Sequence, residues 1–249
     1  MTLARRLLNE AIDAHQSLMA GQVLDIGGER VNTIASFEKP QLDWIYFNLE
    51  QRYVPDVIGN CEALPFKAES IGTVLLFEIL EHVPDPRMVL NEAKRVLRPG
   101  GRLFLSMPFM YRHHRNPADF HRWTHERFFM ELEDRLGMQI DVLVPRGAWL
   151  ATVLDILTQG LGGVVPGTFR GSSVLSFLGR VFSRLISLSY PMWRKWDLWL
   201  ADVSRTKAIF HRYTTGYLVV AHKPREDEGW RGTPEKSRDA LRTPLSPLL

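Results

Sequence analysis

Residues 73–107 read TVLLFEILEHVPDPRMVLNEAKRVLRPGGRLFLSM, and this stretch decides the fold. It opens on Thr73 to Phe77, an apolar run of strand length. Its β-branched and aromatic content suits a parallel strand covered on both faces. Asp85 then offers an N-cap, and Pro86 brings the fixed φ of a first helical position. Val89, Leu90, Ala93, Val96 and Leu97 fall on one apolar stripe. Lys94, Arg95 and Arg98 lie near the end of that helix, where its dipole favours cations, and Pro99-Gly100-Gly101 reads as its stop. Arg102 to Met107 is a second strand. Strand, helix, strand in this rhythm predicts a parallel βαβ unit.

Working outward, Gln22 to Ile26 (QVLDI) is a short buried strand running into the Gly27-Gly28 turn. Trp44 to Phe47 and Val57-Ile58 are two more. Downstream, Thr124 is positioned to cap a helix over about His125 to Leu136, closed by Gly137, and Ile140 to Val144 and Gly216 to Ala221 follow as strands. At the other end, Leu3, Leu7, Leu8, Ala11 and Ile12 recur at helical spacing and no secretory leader pattern is present. The expectation is an α/β fold: a doubly wound, mostly parallel seven-stranded sheet with a helical insertion before the last strand. The core takes residues 1–147 and 213–223, the insertion 148–212, and a Pro-, Gly- and Ser-rich tail 224–249 is expected to be disordered.

The chain has 249 residues, a net charge of +3 and a single cysteine, Cys61, so it forms no internal disulfide and no cysteine-rich zinc site. A cytoplasmic location follows as an expectation, with the inner face of the membrane as a variant of it. Residues 148–215 hold eight basic side chains against three acidic ones. Within them Val174 to Leu188 is amphipathic, and Trp193, Trp196 and Trp199 follow at a spacing of three. Three readings stay open for this insertion: an ordinary helical subdomain, a lid over an apolar substrate, or peripheral membrane contact through 170–200. No segment reads as a transmembrane span; Ala148 to Phe169 is broken by Asp155, its glycines and Pro166. The basic groups are thinly spread among apolar residues and match no recognition motif, which speaks against nucleic acid as a partner.

Ligands of open α/β sheets bind beyond the carboxyl ends of the strands. Four segments belong there. Asp25-Ile26-Gly27-Gly28-Glu29 is a turn in which glycine lets backbone approach a ligand closely. In Asn48-Leu49-Glu50, Glu50 is a candidate acceptor for ribose hydroxyls, against the alternative of a solvent-facing loop acid. In Asn60-Cys61-Glu62-Ala63-Leu64-Pro65-Phe66, Asn60 can hydrogen-bond an adenine amine while Leu64 and Phe66 supply apolar walls. Glu78 to Pro86 sets polar groups beside a cleft.

VLDIGG, NLE, ALPF, LEHVPDP and RVLRPGG, in this order and spacing from Val23 to Met107, resemble the class I S-adenosylmethionine-dependent methyltransferases, of the type 11-like kind. The resemblance implies a Rossmann-like core with S-adenosyl-L-methionine across the strand ends. Asp25, Gly27 and Gly28 would serve its methionine end and Glu50 its ribose. Asn60 and Cys61 would lie at the adenine, with Leu64 lining the pocket. Glu78 would begin the loop beside the methyl group, and His82 would face the acceptor. The sequence departs from the family's glycine-rich turn at Glu29 and Val31, and Asn48 stands where an acid usually closes the second strand.

The implied activity is methyl transfer to a small molecule, glycan or lipid-type acceptor. The sulfonium is already an activated leaving group, so the protein supplies positioning and electrostatics. His82 is the candidate catalytic base, with a structural histidine as the competing reading. The alternative function is a non-catalytic methyltransferase-like binding or scaffolding protein with a degenerate cofactor turn. A nicotinamide-dependent oxidoreductase is disfavoured because DIGGER lacks the G-x-G-x-x-G fingerprint. His113, His114, Asp119, His121 and His125 form a second group. His121 and His125 share no regular helical face, so no metal is expected there.

Overall fold

The computed structural model describes residues 2–28, 41–114, 118–162, 181–182, 184–203 and 213–228. The elements in chain order are α1 (Leu3–His15), β1 (Val23–Ile26), β2 (Trp44–Asn48), β3 (Val57–Ile58), β4 (Ile71–Phe77), α2 (Pro86–Val96), β5 (Leu97–Pro108), α3 (His125–Phe128), β6 (Gln139–Pro145), α4 (Trp149–Gly162), α5 (Tyr190–Val203) and β7 (Gly216–His222). The seven strands form one sheet in the order β3-β2-β1-β4-β5-β7-β6. β1 pairs in parallel with β2 and β4, β2 with β3, and β4 with β5. Gly100 and Lys223 bond at one end of the β5–β7 pair, and Phe109 and Thr215 at the other, so β7 runs antiparallel to β5. The expected doubly wound α/β sheet is the observed one, with mixed strand directions.

The chain divides into two compact units. The larger comprises Leu8–Pro108, His114–Val144 and Tyr217–Leu249. Its core joins Leu8 and Ile12 of α1 to Val23, Leu75, Phe77, Phe104, Leu218 and Val220 of the sheet. All seven residues of β4 are buried, as its unbroken apolar run requires of a central strand. α2 begins as its sequence dictates: the Asp85 carboxylate accepts from the Arg87 amide at 3.0 Å and Pro86 occupies the first turn. Val89, Leu90, Ala93 and Val96 are buried, each of the larger aliphatic side chains contributing about 1.5–3 kcal/mol.

Two local expectations differ from the structure. Leu97 does not close the stripe of α2; it starts β5, and Pro99-Gly100-Gly101 lie inside that strand. The Gly100 amide finds the Lys223 carbonyl at 2.7 Å, so a segment that reads as a helix stop is held as strand by a distant partner. Thr124 makes no side-chain cap, and α3 is a single α-turn continuing as π-helix over Phe129–Arg135. Those widened turns hold Glu131 fully buried, paired with Arg87 at 3.1 Å and with Arg127 and Arg135 at 2.5 Å each.

The second unit comprises Met1–Leu7, Phe109–His113 and Pro145–Gly216. Leu7, Ala151, Tyr190 and Trp193 form its core. Asp197 on α5 accepts from the Ala148 and Ala151 amides at 3.0 and 3.1 Å, capping α4, and pairs with Arg194 at 3.0 Å. The Ala4 amide donates to Asp155 at 3.1 Å, and the Arg6 guanidinium stacks on the Tyr190 ring at 3.6 Å. On α5, Trp193 is buried, whereas Met192, Trp196 and Trp199 are exposed. Most of the expected amphipathic helix over Val174 to Leu188, and the tail from residue 229, lie outside the described residues. Among the described residues no helix is long and apolar enough to cross a membrane.

Candidate functional site

Parallel register puts the four candidate segments on one edge of the sheet. Ile26 pairs with Phe47 on one side and Leu76 on the other, and Asn48 pairs with Ile58. Gly27, Asn48, Gly59 and Glu78 therefore begin the loops at the carboxyl ends of neighbouring strands.

The first turn depends on its glycines. Gly27 has φ +80° and its amide donates to the Phe47 carbonyl at 2.8 Å. A Cβ there would overlap the Cδ1 of Ile79, and one on Gly28 would overlap the Asp25 carboxylate. The turn thus keeps an acid packed against bare backbone. Glu29 and Val31 lie outside the described residues.

Asn48 links the first turn to the second loop. Its Nδ2 donates to the Gly28 carbonyl at 3.1 Å, and its Oδ1 accepts from the Glu50 amide at 3.3 Å. An aspartate could make only the second of these bonds, which explains the amide where an acid is usual. Glu50 is half-exposed and clasped by Arg52 through two bonds of 2.8 and 3.0 Å.

Asn60 bonds Glu62 twice, at 3.0 Å each, closing a small polar ring. Burial, and then the neighbouring Glu62 charge, push the Cys61 thiol up to about 11. Leu64 is buried and its backbone is gripped from α2: its amide donates to Glu92 at 2.7 Å and its carbonyl accepts from Arg95 at 2.9 Å. Arg95 also holds the Phe66 carbonyl at 2.8 Å and Glu92 at 2.6 Å. Sequence reasoning placed Arg95 only at a helix dipole. Its role as a clamp depends on partners some thirty positions away, which spacing along one helix cannot reveal.

Glu78 sits at φ +57°, in the left-handed region that non-glycine residues enter at a cost of about 1–2 kcal/mol. Ser106 fixes it there: the Glu78 amide donates to the Ser106 carbonyl at 3.2 Å and the Ser106 hydroxyl donates to Glu78 Oε1 at 2.9 Å. His82 follows on a short helical turn, its Nδ1 against the Ala118 carbonyl. A carbonyl only accepts, so neutral His82 carries its proton on Nδ1 and its lone pair on Nε2. That Nε2 lies 3.7 Å from Oε1 of Glu81, a fully buried acid. The His114 ring packs edge-on at 4.9 Å between centroids.

His114 is held by Asp119, which accepts from its amide at 2.9 Å and lies 3.2 Å from its Nδ1. Arg122 bonds Asp119 at 2.5 and 2.8 Å and, as the largest cause, holds its carboxyl well below the usual carboxylate range. Burial lowers the pKa of His114, only partly offset by Asp119. The structure does not gather the other histidines of the sequence group here. His121 turns to the Val83 carbonyl at 3.1 Å, and His125 to Glu126 at 2.8 Å.

Residues 34–105 match the family model of the methyltransferase domain. An uncharacterised 37.1 kDa protein in transposon TN4556 of Streptomyces fradiae is 31% identical over 121 residues, covering 42% of this chain and 35% of that protein. The ubiquinone biosynthesis O-methyltransferase of Xanthomonas oryzae pv. oryzae is 51% identical over 37 residues, 15% of this chain and 16% of that one. The matched segments thus span about a third or less of these relatives' own length. The crystal structure of an S-adenosylmethionine-dependent methyltransferase from Archaeoglobus fulgidus shares the fold with a TM-score of 0.54 at 14% identity, over 88% of this chain and 94% of that one. Over residues 34–105 the chain is thus similar in sequence to the methyltransferase domain, and its sheet shares the fold of an S-adenosylmethionine-dependent methyltransferase.

S-adenosylmethionine is the cofactor that the domain match and the shared fold support. The described residues fit it in character. A glycine turn with an acid packed on it suits the methionine end, and a half-exposed carboxylate at the second strand suits ribose hydroxyls. A buried leucine on a clamped loop suits the face of a purine.

Proposed function

We propose that the protein transfers a methyl group from S-adenosylmethionine to an oxygen of a lipid-type or other small acceptor. The observation that carries this reading is the shared carboxyl edge on which Gly27, Asn48, Gly59 and Glu78 begin their loops. Bound there, the cofactor supplies a methyl carbon made electrophilic by its sulfonium. Asp25, Gly27 and Gly28 hold its methionine end. Glu50, released from Arg52, takes the ribose; Asn60 and Cys61 border the adenine, and Leu64 lies on its face. Glu78, fixed by Ser106, sets the start of the acceptor loop. His82 offers the Nε2 lone pair to the acceptor's proton, with Ala118 orienting the ring.

Two features support a lipid-type acceptor over a glycan. Trp196 and Trp199 pack edge-to-face at 5.4 Å, and both are about half exposed beside Met192 on α5, which suits an interfacial surface. The Xanthomonas oryzae relative is named for ubiquinone biosynthesis, an O-methylation. Radiolabelled methyl transfer to a panel of phenolic isoprenoids, water-soluble phenols and glycans tests the reading. Label is expected in the isoprenoid fraction, and His82→Gln should lower kcat about 10²–10⁴-fold without changing cofactor affinity. Co-sedimentation with anionic liposomes at low salt is expected; its absence removes the membrane contact.

A second reading, a non-catalytic binding module, is favoured by the partners that Glu50 and Asn60 already have in Arg52 and Glu62. Arg52→Ala discriminates. A catalytic site keeps or gains cofactor affinity when Glu50 is released, whereas a module without a cofactor site gains none.

A further inference from the structure

We infer that Glu81, His82 and His114 form a binding site for one transition-metal dication of the zinc type. One ligand atom from each residue can be chosen so that all three lie within 4.8 Å of one another. Ligands 2.0–2.2 Å from a tetrahedral zinc stand about 3.4 Å apart. The pair formed by Glu81 Oε1 and His82 Nε2 is already near that separation, at 3.7 Å. The His114 ring lies against His82 at 4.9 Å between centroids and completes the group.

Proximity alone does not make a site; the surroundings of the two imidazoles argue further. A metal-binding histidine normally has its other ring nitrogen held by a carbonyl or a carboxylate, which fixes the tautomer and raises ligand basicity. His82 has this partner in the Ala118 carbonyl, leaving Nε2 as the donor toward Glu81. Beside His114 stands a carboxylate: Asp119 accepts from the His114 amide at 2.9 Å, lies 3.2 Å from its Nδ1, and is itself fixed by two bonds from Arg122. The third ligand, Glu81, is a carboxylate with no exposed surface. Two imidazoles and one carboxylate select zinc, cobalt or nickel over magnesium and calcium, which require oxygen ligands. Three protein ligands also leave a fourth position open, the arrangement of zinc sites that take water or substrate. When the ion is bound, His82 Nε2 is a ligand and no longer a base. Held by these three residues, the ion would supply Lewis acidity at the open position, lowering the pKa of an acceptor hydroxyl there, whose proton would pass to solvent water.

Metal binding does not depend on methyl transfer, so its test uses the metal alone. The full chain, stripped with chelator and desalted, is titrated with zinc chloride by calorimetry and with cobalt chloride by visible absorption. One equivalent is expected, with the cobalt spectrum of a four-coordinate nitrogen–oxygen site. His114→Ala should weaken binding at least about 100-fold, and Asp119→Asn, which removes only the support, about 10–100-fold. Melting curves without metal show whether each variant is folded; should one fail to fold, His82→Gln takes its place. Absence of binding by folded wild-type protein overturns the site. So does one-equivalent binding that survives both His82→Gln and His114→Ala, because the ion then sits elsewhere.

Discussion

Replacing Gly27 by alanine tests the first turn at its tightest point. The residue sits at φ +80°, where a Cβ costs about 1–2 kcal/mol. The new methyl would also overlap Cδ1 of Ile79, and moving that side chain off its rotamer costs about 0.5–1.5 kcal/mol more. The sum is about 2–3 kcal/mol, which for a chain of this size lowers Tm by about 5–10 °C. Gly160 provides the control: it lies in α4 with nothing within 4 Å of where a methyl would stand, so Gly160→Ala should stabilise by up to about 1 kcal/mol. Thermal unfolding followed by circular dichroism reads both variants, and calorimetry with S-adenosylmethionine reads the site. On the proposed placement of the methionine end at this turn, Gly27→Ala should weaken cofactor binding more than tenfold at a temperature where it remains folded, because the turn is reshaped. A Gly27→Ala protein as stable as wild type, with the same affinity, would refute the reasoning about this turn.

Three further outcomes follow from particular contacts. With its thiol pushed up to about 11, Cys61 should react with iodoacetamide at pH 8 on the order of 100-fold more slowly than an unperturbed cysteine, and cofactor should slow it again; ordinary reactivity would contradict its placement. Arg122 depresses the Asp119 carboxyl below its unfolded value near 3.8, so the stability it lends is complete above about pH 5 and is lost as pH falls below 4. The difference in unfolding free energy between wild type and Asp119→Asn should therefore be flat from about pH 5 to 7 and shrink in acid, as urea melts would show. Asp197→Ala removes the cap of α4 and one ion pair of Arg194, at a cost of about 2 kcal/mol; a loss below about 0.5 kcal/mol in the same melts would mean that the cap is not stabilising.

The sequence was most informative where structure is local. β4 reads as a buried strand because all its residues are apolar or small, and α2 starts at Asp85-Pro86 because cap and first turn are written in adjacent residues. It misled where a distant partner decides. Leu97 joins β5 through Ile71 of β4 and Gly100 through Lys223, more than a hundred residues away, and the helix after Thr124 widens around Glu131 and its three arginines. The site divides in the same way. Asp25, Gly27, Glu50 and Glu78 could be placed from strand ends and motif order. The roles of Asn48, Glu92, Arg95 and Ser106 rest on bonds across 20 to 31 positions that no periodicity carries. The histidines show this most plainly. Sequence grouped His114 with His121 and His125 by proximity along the chain, whereas the fold sets it against His82 and Glu81.

The central claim is that the carboxyl edge of this sheet binds S-adenosylmethionine. Calorimetric titration of the folded protein with S-adenosylmethionine and S-adenosylhomocysteine, with a nicotinamide dinucleotide as control, tests it most directly. One site of micromolar affinity is predicted for the first two ligands and none for the third. Absence of binding by either sulfur ligand would contradict the claim and leave the non-catalytic module as the reading that stands.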